Sequence, residues 1–449
     1  MMSTERKRIA QLRHGQVPKG YQMTRFGIVP SDWMTFRVCD CLERVERSVE
    51  VQADEFYTQI GIRSHGKGLF YKEQVAGVEL GNKAVFWIVP DCFILNIVFA
   101  WEQAIGKTTQ AEVGMIGSHR FPMYRPVKDR IDIDYLISFF LTKRGTDILE
   151  AASSGGAGRN KTLGQDRFLK SKIVLPPLPE QRKIAAILAT QDKVIELYER
   201  KIEQLQLLKK NCLRKMFPRH GSDAPEVRFR GFTGTWERKR LGDLFEKNTE
   251  KNCGLIGFDK TISISNMTYN EFGNGAACDS LSNYKVLRYG DIAFDGHANK
   301  EFQYGRFIVN DIGIGIMSPR FTSLRPINEL QTTFWKYYIH FEPVLGRILV
   351  NATKFGTMMN ELSVPDFLIQ YIFIPSISEQ KKLGRFFEHF DRLIALNQRK
   401  RDEEKQKKKA LMQLLLTGIV RVGEAASCRL ERAGNEAAGS RFSTRIAKV

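Results

Sequence analysis

Residues 178–184 read LPEQRKI, and residues 377–383 read ISEQKKL. A chain that writes one segment twice must accommodate two copies of one structural unit, because like sequences seek like surroundings. The match extends in both directions. Glu180, Gln181, Asp192 and Ile195 meet Glu379, Gln380, Asp391 and Ile394 at a constant offset of 199. Upstream, GSHRFPMYRP (117–126) meets MSPRFTSLRP (317–326) at an offset of 200, and Asp91 meets Asp291 at the same offset. Ser118, Arg120, Phe121, Arg125 and Pro126 thus fall on Ser318, Arg320, Phe321, Arg325 and Pro326. Trp33 falls on Trp236, and Asp40 on Asp243, at an offset of 203. Coincidences in the same order at a nearly constant offset mean duplication.

Each copy has two parts. Residues 1–174 and 218–373 mix short apolar runs with Gly and Asn turns, the pattern of α/β globules with many short strands. Residues 175–217 and 374–418 read as single long helices. PEQRKIAAILATQDKVIELYERKIEQLQLLKKNCLRKMF (179–217) has no internal Gly or Pro. Its residues Ile184, Ile187, Leu188, Val194, Ile195, Tyr198, Ile202, Leu205 and Leu208 alternate threes and fours, a partner-facing stripe. Leu383, Phe387, Phe390, Ile394, Asn397, Leu411 and Leu415 form the matching seam of the second helix, with Gly384 as a weak point and Gly418 as a stop. Pro179 suits the first helical position, and Ser378 is a candidate cap. Glu180, Gln181, Glu379 and Gln380 either cap these openings or form part of a shared frame with Asp192 and Asp391. At 1.5 Å per residue each helix runs on the order of 50–60 Å, too long to bury its seam on its own globule. The expected fold is α+β: two α/β globules separated by two long helices in an antiparallel coiled coil, with internal pseudo-two-fold symmetry. Residues 419–449, with small residues and isolated charges, read as a disordered tail.

Sixty-nine Lys+Arg against 50 Asp+Glu leave a charge of +19 and a pI near 9.6. Such a surplus favours a polyanionic partner, foremost nucleic acid, with an acidic protein partner as the alternative. Seven cysteines without a CxxC pair argue against a disulfide framework or a zinc ribbon. The N-terminus lacks an apolar leader, and the most apolar run (85–101) is interrupted by Pro90, Asp91 and Asn96. A cytoplasmic protein with no membrane partner is expected.

No catalytic signature is present. The one PP, in LPPLP (175–179), has Leu on both sides and lacks the aromatic that a base-flipping adenine methyltransferase needs. FGNGA (272–276) has the wrong spacing for a cofactor loop, and IGKT (105–108) has Trp101 where a phosphate-binding loop needs its first Gly. The seven histidines show no metal-ligand spacing. The chain is expected to be non-catalytic, without metal or cofactor of its own.

Nucleic-acid contacts are expected in Gly-rich loops that carry basic and aromatic residues. GIRSHGKGLFYKE (61–73) offers Arg63, His65, Lys67 and Tyr71. FDGHANKEFQYGR (294–306), taken as the comparable stretch, offers His297, Asn299, Lys300, Gln303 and Arg306. Arg159, Lys161 and Lys354, in loops that precede each helix, suit phosphates. An ordinary solvated surface is the competing reading of every one of these positions. Arg120, Arg125, Arg320 and Arg325 recur in both copies and suit a structural task.

LPPLPEQRKIAAIL followed by a long helix, with SEQKKLGRFFEHFDRLI two hundred residues later, resembles the specificity (HsdS) subunits of Type I restriction-modification systems. The lead-ins GYQMTRFGIVPSDW (20–33) and VRFRGFTGTWERKRLGDL (227–244) fit the same family, and the resemblance spans residues 1–420. It implies that each globule reads one half of a split, asymmetric site on double-stranded DNA. It implies that the helices set the spacer and dock two methyltransferase subunits, with two motor-nuclease subunits in the restricting form. S-adenosylmethionine, ATP and Mg would then belong to those partners. A non-specific DNA-binding coiled-coil scaffold and the recognition part of a fused methylase or nuclease are the alternative readings.

Overall fold

The computed structural model describes residues 8, 10–12, 14–81, 84–155, 161–219, 221–272, 275, 278–300, 302–356 and 359–422. The chain forms two compact units: residues up to Leu197 with those from Arg401, and Tyr198–Lys400. The boundary cuts both long helices, so each unit holds one globule with half of each helix.

In the first unit, a hairpin of β1 (Tyr21–Thr24) and β2 (Gly27–Pro30) precedes β3 (Met34–Arg37) and β4 (Leu42–Val45). Then follow β5 (Phe56–Ile62), β6 (Leu69–Ala76), β7 (Val85–Trp87), β8 (Phe93–Leu95), β9 (Ile105–Lys107), β10 (Ile116–Ser118) and β11 (Met123–Pro126). Helices Ile133–Phe140 and Lys143–Ala152 lead to β12 (Ser153–Ser154), β13 (Thr162–Leu163), helix Gln165–Lys170 and β14 (Lys172–Leu175). One sheet is ordered β4-β11-β8-β9, a second β6-β5-β10-β7, and β14 pairs with β3. The central helix (Leu178–Met216) follows.

The second unit repeats the plan. Its strands are β15 (Glu237–Arg240), β16 (Phe245–Lys247), β17 (Ile262–Ser263), β18 (Thr268–Tyr269), β19 (Lys285–Leu287), β20 (Ile292–Asp295), β21 (Arg306–Val309), β22 (Gly315–Met317) and β23 (Thr322–Pro326). Helices Thr332–Tyr338 and Glu342–Ala352, strands β24 (Thr353–Lys354) and β25 (Glu361–Leu362), helix Val364–Leu368 and β26 (Tyr371–Ile374) lead to the distal helix (Ile377–Leu415). The order β16-β23-β20-β21 reproduces β4-β11-β8-β9, and the pair β15-β26 reproduces β3-β14. A parallel bridge joins Thr261 to Ile316, as Gln59 meets Ile116 in the first unit.

Within each unit the helix halves run antiparallel. In the first, Gln191 donates to the carbonyl of Glu404 at 3.2 Å, while Asp192 meets Lys408. In the second, Lys209 meets Asp391. The helix ends are not left to pair only with each other, as the length argument anticipates. Ile184, Leu188, Leu415 and Leu416 join the core of the first globule. Met216, Phe217, Leu383, Phe387 and Phe390 join that of the second. The globule core thus covers the seam where the helix leaves the globule. Leu208 lies off the buried stripe and is 44% exposed.

Local details differ from the sequence reading in three places. The distal helix begins at Ile377, so Ser376 rather than Ser378 caps it, accepting from the Glu379 N–H at 3.4 Å. Gly384 is a site of close approach: a Cβ there would lie 2.5 Å from Thr333 Oγ1 and 2.9 Å from the Phe334 nitrogen. Residues 419–422, read from the sequence as part of a disordered tail, are held against the first globule. Val420 and Val422 pack on the first core, and the Tyr21 hydroxyl donates to the Gly418 carbonyl at 2.8 Å. Apolar side chains with a surface to cover hold residues 419–422 in place; residues 423–449 lie outside the described residues.

Candidate nucleic-acid interface

The shared frame comes first, because it holds both heads on their helices. Glu180 is buried and accepts from Trp33 Nε1 at 3.2 Å and from Arg421 at 2.8 Å. Arg421 also grips Asp32 at 2.7 and 2.8 Å. Glu379, its counterpart, accepts two hydrogen bonds from Arg228 at 2.6 and 2.9 Å. Gln181 accepts from the Asp132 N–H and donates to the Arg130 and Pro176 carbonyls. Gln380 donates to the Pro375 carbonyl at 2.9 Å. These pairs do more than cap a helix: each Glu closes a charge-assisted bond to a distant segment, and each Gln satisfies backbone groups that the helix entry would strand.

Asp192 and Asp391 belong to matched ion pairs between helix halves. Asp192 holds Lys408 at 2.6 Å, and Asp391 holds Lys209 at 2.5 Å. Adding 199 to Asp192 gives Asp391, and adding 199 to Lys209 gives Lys408. Each pair is therefore the other's image. The repeat of the two aspartates was visible in the sequence; the lysines that answer them were not, because their partners are 216 and 182 residues away.

In the first head, the turn between β5 and β6 lies against the loop between β8 and β9. The His65 N–H donates to Glu102 O at 2.8 Å, the Gly66 N–H to Gln103 O at 2.9 Å, and Ser64 Oγ to the Glu102 carboxylate at 3.1 Å. His65 takes a left-handed φ of 60° to make this turn. His65 and Lys67 are exposed, and their side chains have no partner among the described residues. Arg63 is exposed but donates to the Leu69 carbonyl at 2.8 Å and stacks over Phe70 at 5.0 Å. Tyr71 donates to Glu112, leaving its ring half exposed. Lys161 pairs with Glu150 at 2.8 Å and lies over Trp101 at 5.4 Å. Arg159 lies outside the described residues.

In the second head, the loop between β20 and β21 carries His297, Asn299, Lys300 and Gln303. Asp295, buried at the end of β20, holds His297 Nδ1 at 2.7 Å and lies 3.7 Å from Arg306 Nε. Arg306 donates to the Ser265 carbonyl at 2.9 Å and covers Phe302 at 5.5 Å. The Asn299 side chain accepts from the Phe302 N–H at 2.9 Å, locking its own turn. Asn360 bonds Gly296 O at 2.8 Å and Gln303 O at 3.3 Å, which ties the hairpin of β24 and β25 to this loop. Lys300, Gln303 and Lys354 are exposed. Beside Lys354, Phe355 is 79% exposed with its ring 6.0 Å from Tyr304.

The stretches 61–73 and 294–306 are not counterparts. The first spans the β5–β6 hairpin, whose equivalent is β17–β18 with its turn through Ser265 and Asn266. The second spans β20–β21, whose equivalent is β8–β9 with Trp101, Glu102 and Gln103. Similar composition suggested one element where the topology has two. In both heads, though, these two elements touch, through His65–Glu102 in one and Ser265–Arg306 in the other. Sequence reasoning therefore named one of the two touching elements in each head and passed over its neighbour, whose residues are not basic enough to signal themselves.

The family model for the Type I restriction modification DNA specificity domain matches residues 87–207 and 233–406. The chain belongs to this family. It is 24% identical over 436 residues to the specificity subunit of the Type I restriction enzyme MjaVIII of Methanocaldococcus jannaschii, covering 88% of this chain and 94% of the relative. The MjaIX specificity subunit of the same organism is 24% identical over 341 residues, 71% of this chain and 77% of its own. A solved chain, described under complex assembly and conformational transition of the type I R-M system, shares the fold with a TM-score of 0.55. It is 18% identical, with 87% of this chain and 99% of that one covered. Among the described residues, no helix is long and apolar enough to cross a membrane.

Proposed function

We propose that this chain is the sequence-reading subunit of a Type I restriction-modification complex, in which each head reads one half of a split, asymmetric DNA site. The observation that carries this reading is the contrast within the repeat: topology and frame are duplicated, whereas the loops between β5 and β6, β8 and β9, and their counterparts differ in nearly every residue. Like heads would read a palindrome; unlike heads on a like frame read unlike half-sites. The paired helices set the spacer and carry docking surfaces for two methyltransferase subunits, with motor-nuclease subunits added in the restricting form. Catalysis, S-adenosylmethionine, ATP and Mg belong to those cytoplasmic partners. His65, Lys67, His297, Lys300 and Gln303 are the base-facing candidates, and Lys354 is a phosphate candidate beside them.

The test is to co-express the chain with its modification subunit and map N6-methyladenine across the host genome. A split motif with two unlike halves and a fixed spacer is the expected result. Methylation at a compact palindrome, or none from a stable complex, would overturn the reading.

A further inference from the structure

The duplicated segments GSHRFPMYRP and MSPRFTSLRP contain five repeated side chains, and the structure assigns a structural setting to four of them. The backbone carbonyls of Ser118 and Ser318 close the same tight turn, accepting from the Phe121 and Phe321 N–H groups at 2.8 and 3.2 Å, and Ser118 Oγ accepts from the Arg120 N–H at 3.3 Å. Phe121 and Phe321 anchor that turn in the distal apolar cores of their heads. Pro126 and Pro326 end β11 and β23 opposite Leu42 and Phe245. Arg125 and Arg325 lie opposite Glu43 and Glu246 in the ladders, and Arg325 grips Asp291 at 2.8 and 3.1 Å and Glu250 at 2.7 Å.

Arg120 and Arg320 have no such task. Both are exposed on the turn. The Arg120 guanidinium has no partner among the described residues, and Arg320 has only its neighbour Phe321, 5.3 Å away, and Met359 Sδ at 3.6 Å. The turn places each of them beside the candidate reading loops of its own head. The Arg120 carbonyl accepts from Ile97 at the start of the β8–β9 loop, and Met359 adjoins Asn360, which ties the β24–β25 hairpin to the β20–β21 loop.

We infer that Arg120 and Arg320 are equivalent phosphate clamps, one per head, that seat each globule on the DNA backbone without reading sequence. The inference rests on the proposed reading of the heads as DNA-binding. Two heads that read unlike half-sites share only one chemical feature of their ligand, the sugar-phosphate backbone. A side chain kept in both, exposed on the same turn and without an ion-pair partner among the described residues, fits that shared feature. Guanidinium is suited to it by its fixed charge and forked donors.

The experiment uses the full chain assembled with its modification subunits, and a fluorescent duplex carrying the mapped site beside one of scrambled sequence. Binding is measured over a range of salt for wild type, R120A, R320A, the double variant, and R120K/R320K. Each Ala substitution should lower the slope of log affinity against log salt by about 0.9. It should weaken both duplexes by the same factor and leave the methylated motif unchanged, with Lys restoring most of the slope. An unchanged slope, a loss confined to the specific duplex, or an altered half-site would overturn the inference. Unchanged thermal midpoints exclude misfolding, since both side chains are exposed. The slope reads the arginines even if wild type shows no preferred sequence, a result that would overturn the reading of the heads instead.

Discussion

The two junctions between helix and head solve one problem with different chemistry. At the first, Leu416 follows the distal helix into an aliphatic and aromatic core, and Glu180 is shared between Trp33 and Arg421. At the second, the equivalent position is Phe217, whose ring packs on Trp236, Phe334, Tyr338, Phe341 and Phe387 with centroids 5.1–6.5 Å apart. There Glu379 relies on Arg228 alone among the described residues, and Trp236 Nε1, the counterpart of the Trp33 donor, has no partner among them. The duplication kept the positions and the mechanical role while the contacts drifted. One junction leans on shared polar bonds, the other on interlocking rings. Aromatic pairs in such tilted and edge-on arrangements gain beyond their buried area.

The largest expected effect breaks the aromatic junction. Phe217→Ala should cost about 3–5 kcal/mol by urea denaturation, since the cavity it leaves is ringed by side chains that cannot collapse. Leu416→Ala should cost less, toward the lower end of the range of about 2–5 kcal/mol for a buried leucine. Equal losses would mean that the rings add nothing to simple burial. Next comes the carboxylate. Glu379→Gln takes from the Arg228 guanidinium its one carboxylate partner among the described residues, leaving it the Gly234 carbonyl, and should cost about 2–4 kcal/mol. Glu180→Gln leaves Arg421 its grip on Asp32 and should cost about 1 kcal/mol, so the two variants separate cleanly in one titration.

A third difference is pH sensitivity. His340 falls, by the register of the matching helices Ile133–Phe140 and Thr332–Tyr338, where the first head has half-buried Leu141. Burial, and then the positive Lys209, Arg306 and Lys336, push its pKa down to about 4. An unfolded histidine titrates near 6.5, so as pH falls the unfolded chain takes up this proton first. The neutral ring's contribution is therefore complete above about pH 6.5, declines as pH falls toward 4, and levels off below. His340→Phe should flatten that part of the stability-against-pH curve; an unchanged curve would place the acid sensitivity elsewhere. The smallest effect is on the mirrored ion pairs. Asp192→Asn, at an exposed pair, should cost under about 0.5 kcal/mol. Asp391→Asn should cost more, because Asp391 also accepts from the Tyr337 hydroxyl at 2.6 Å. A reversed order would show that Tyr337 does not depend on the carboxylate.

The duplication, the helices and the basic character were legible in the sequence, because each is a local or periodic property that one-dimensional spacing preserves. Glu180, Gln181 and their counterparts announced a frame by repeating at a fixed offset. The chain alone could not say what those residues hold. Arg421 meets Glu180 across 241 residues, and Lys408 meets Asp192 across 216. Nor could composition distinguish the β5–β6 turn from the β20–β21 loop, which are alike in residues and different in topology. Gly384 read as a flaw in a helix until the close approach of Thr333 gave it a reason. Periodicity determined which elements form. Only tertiary structure decided which loops share a surface, since that depends on strand order, and strand order is set by packing between segments far apart in the chain.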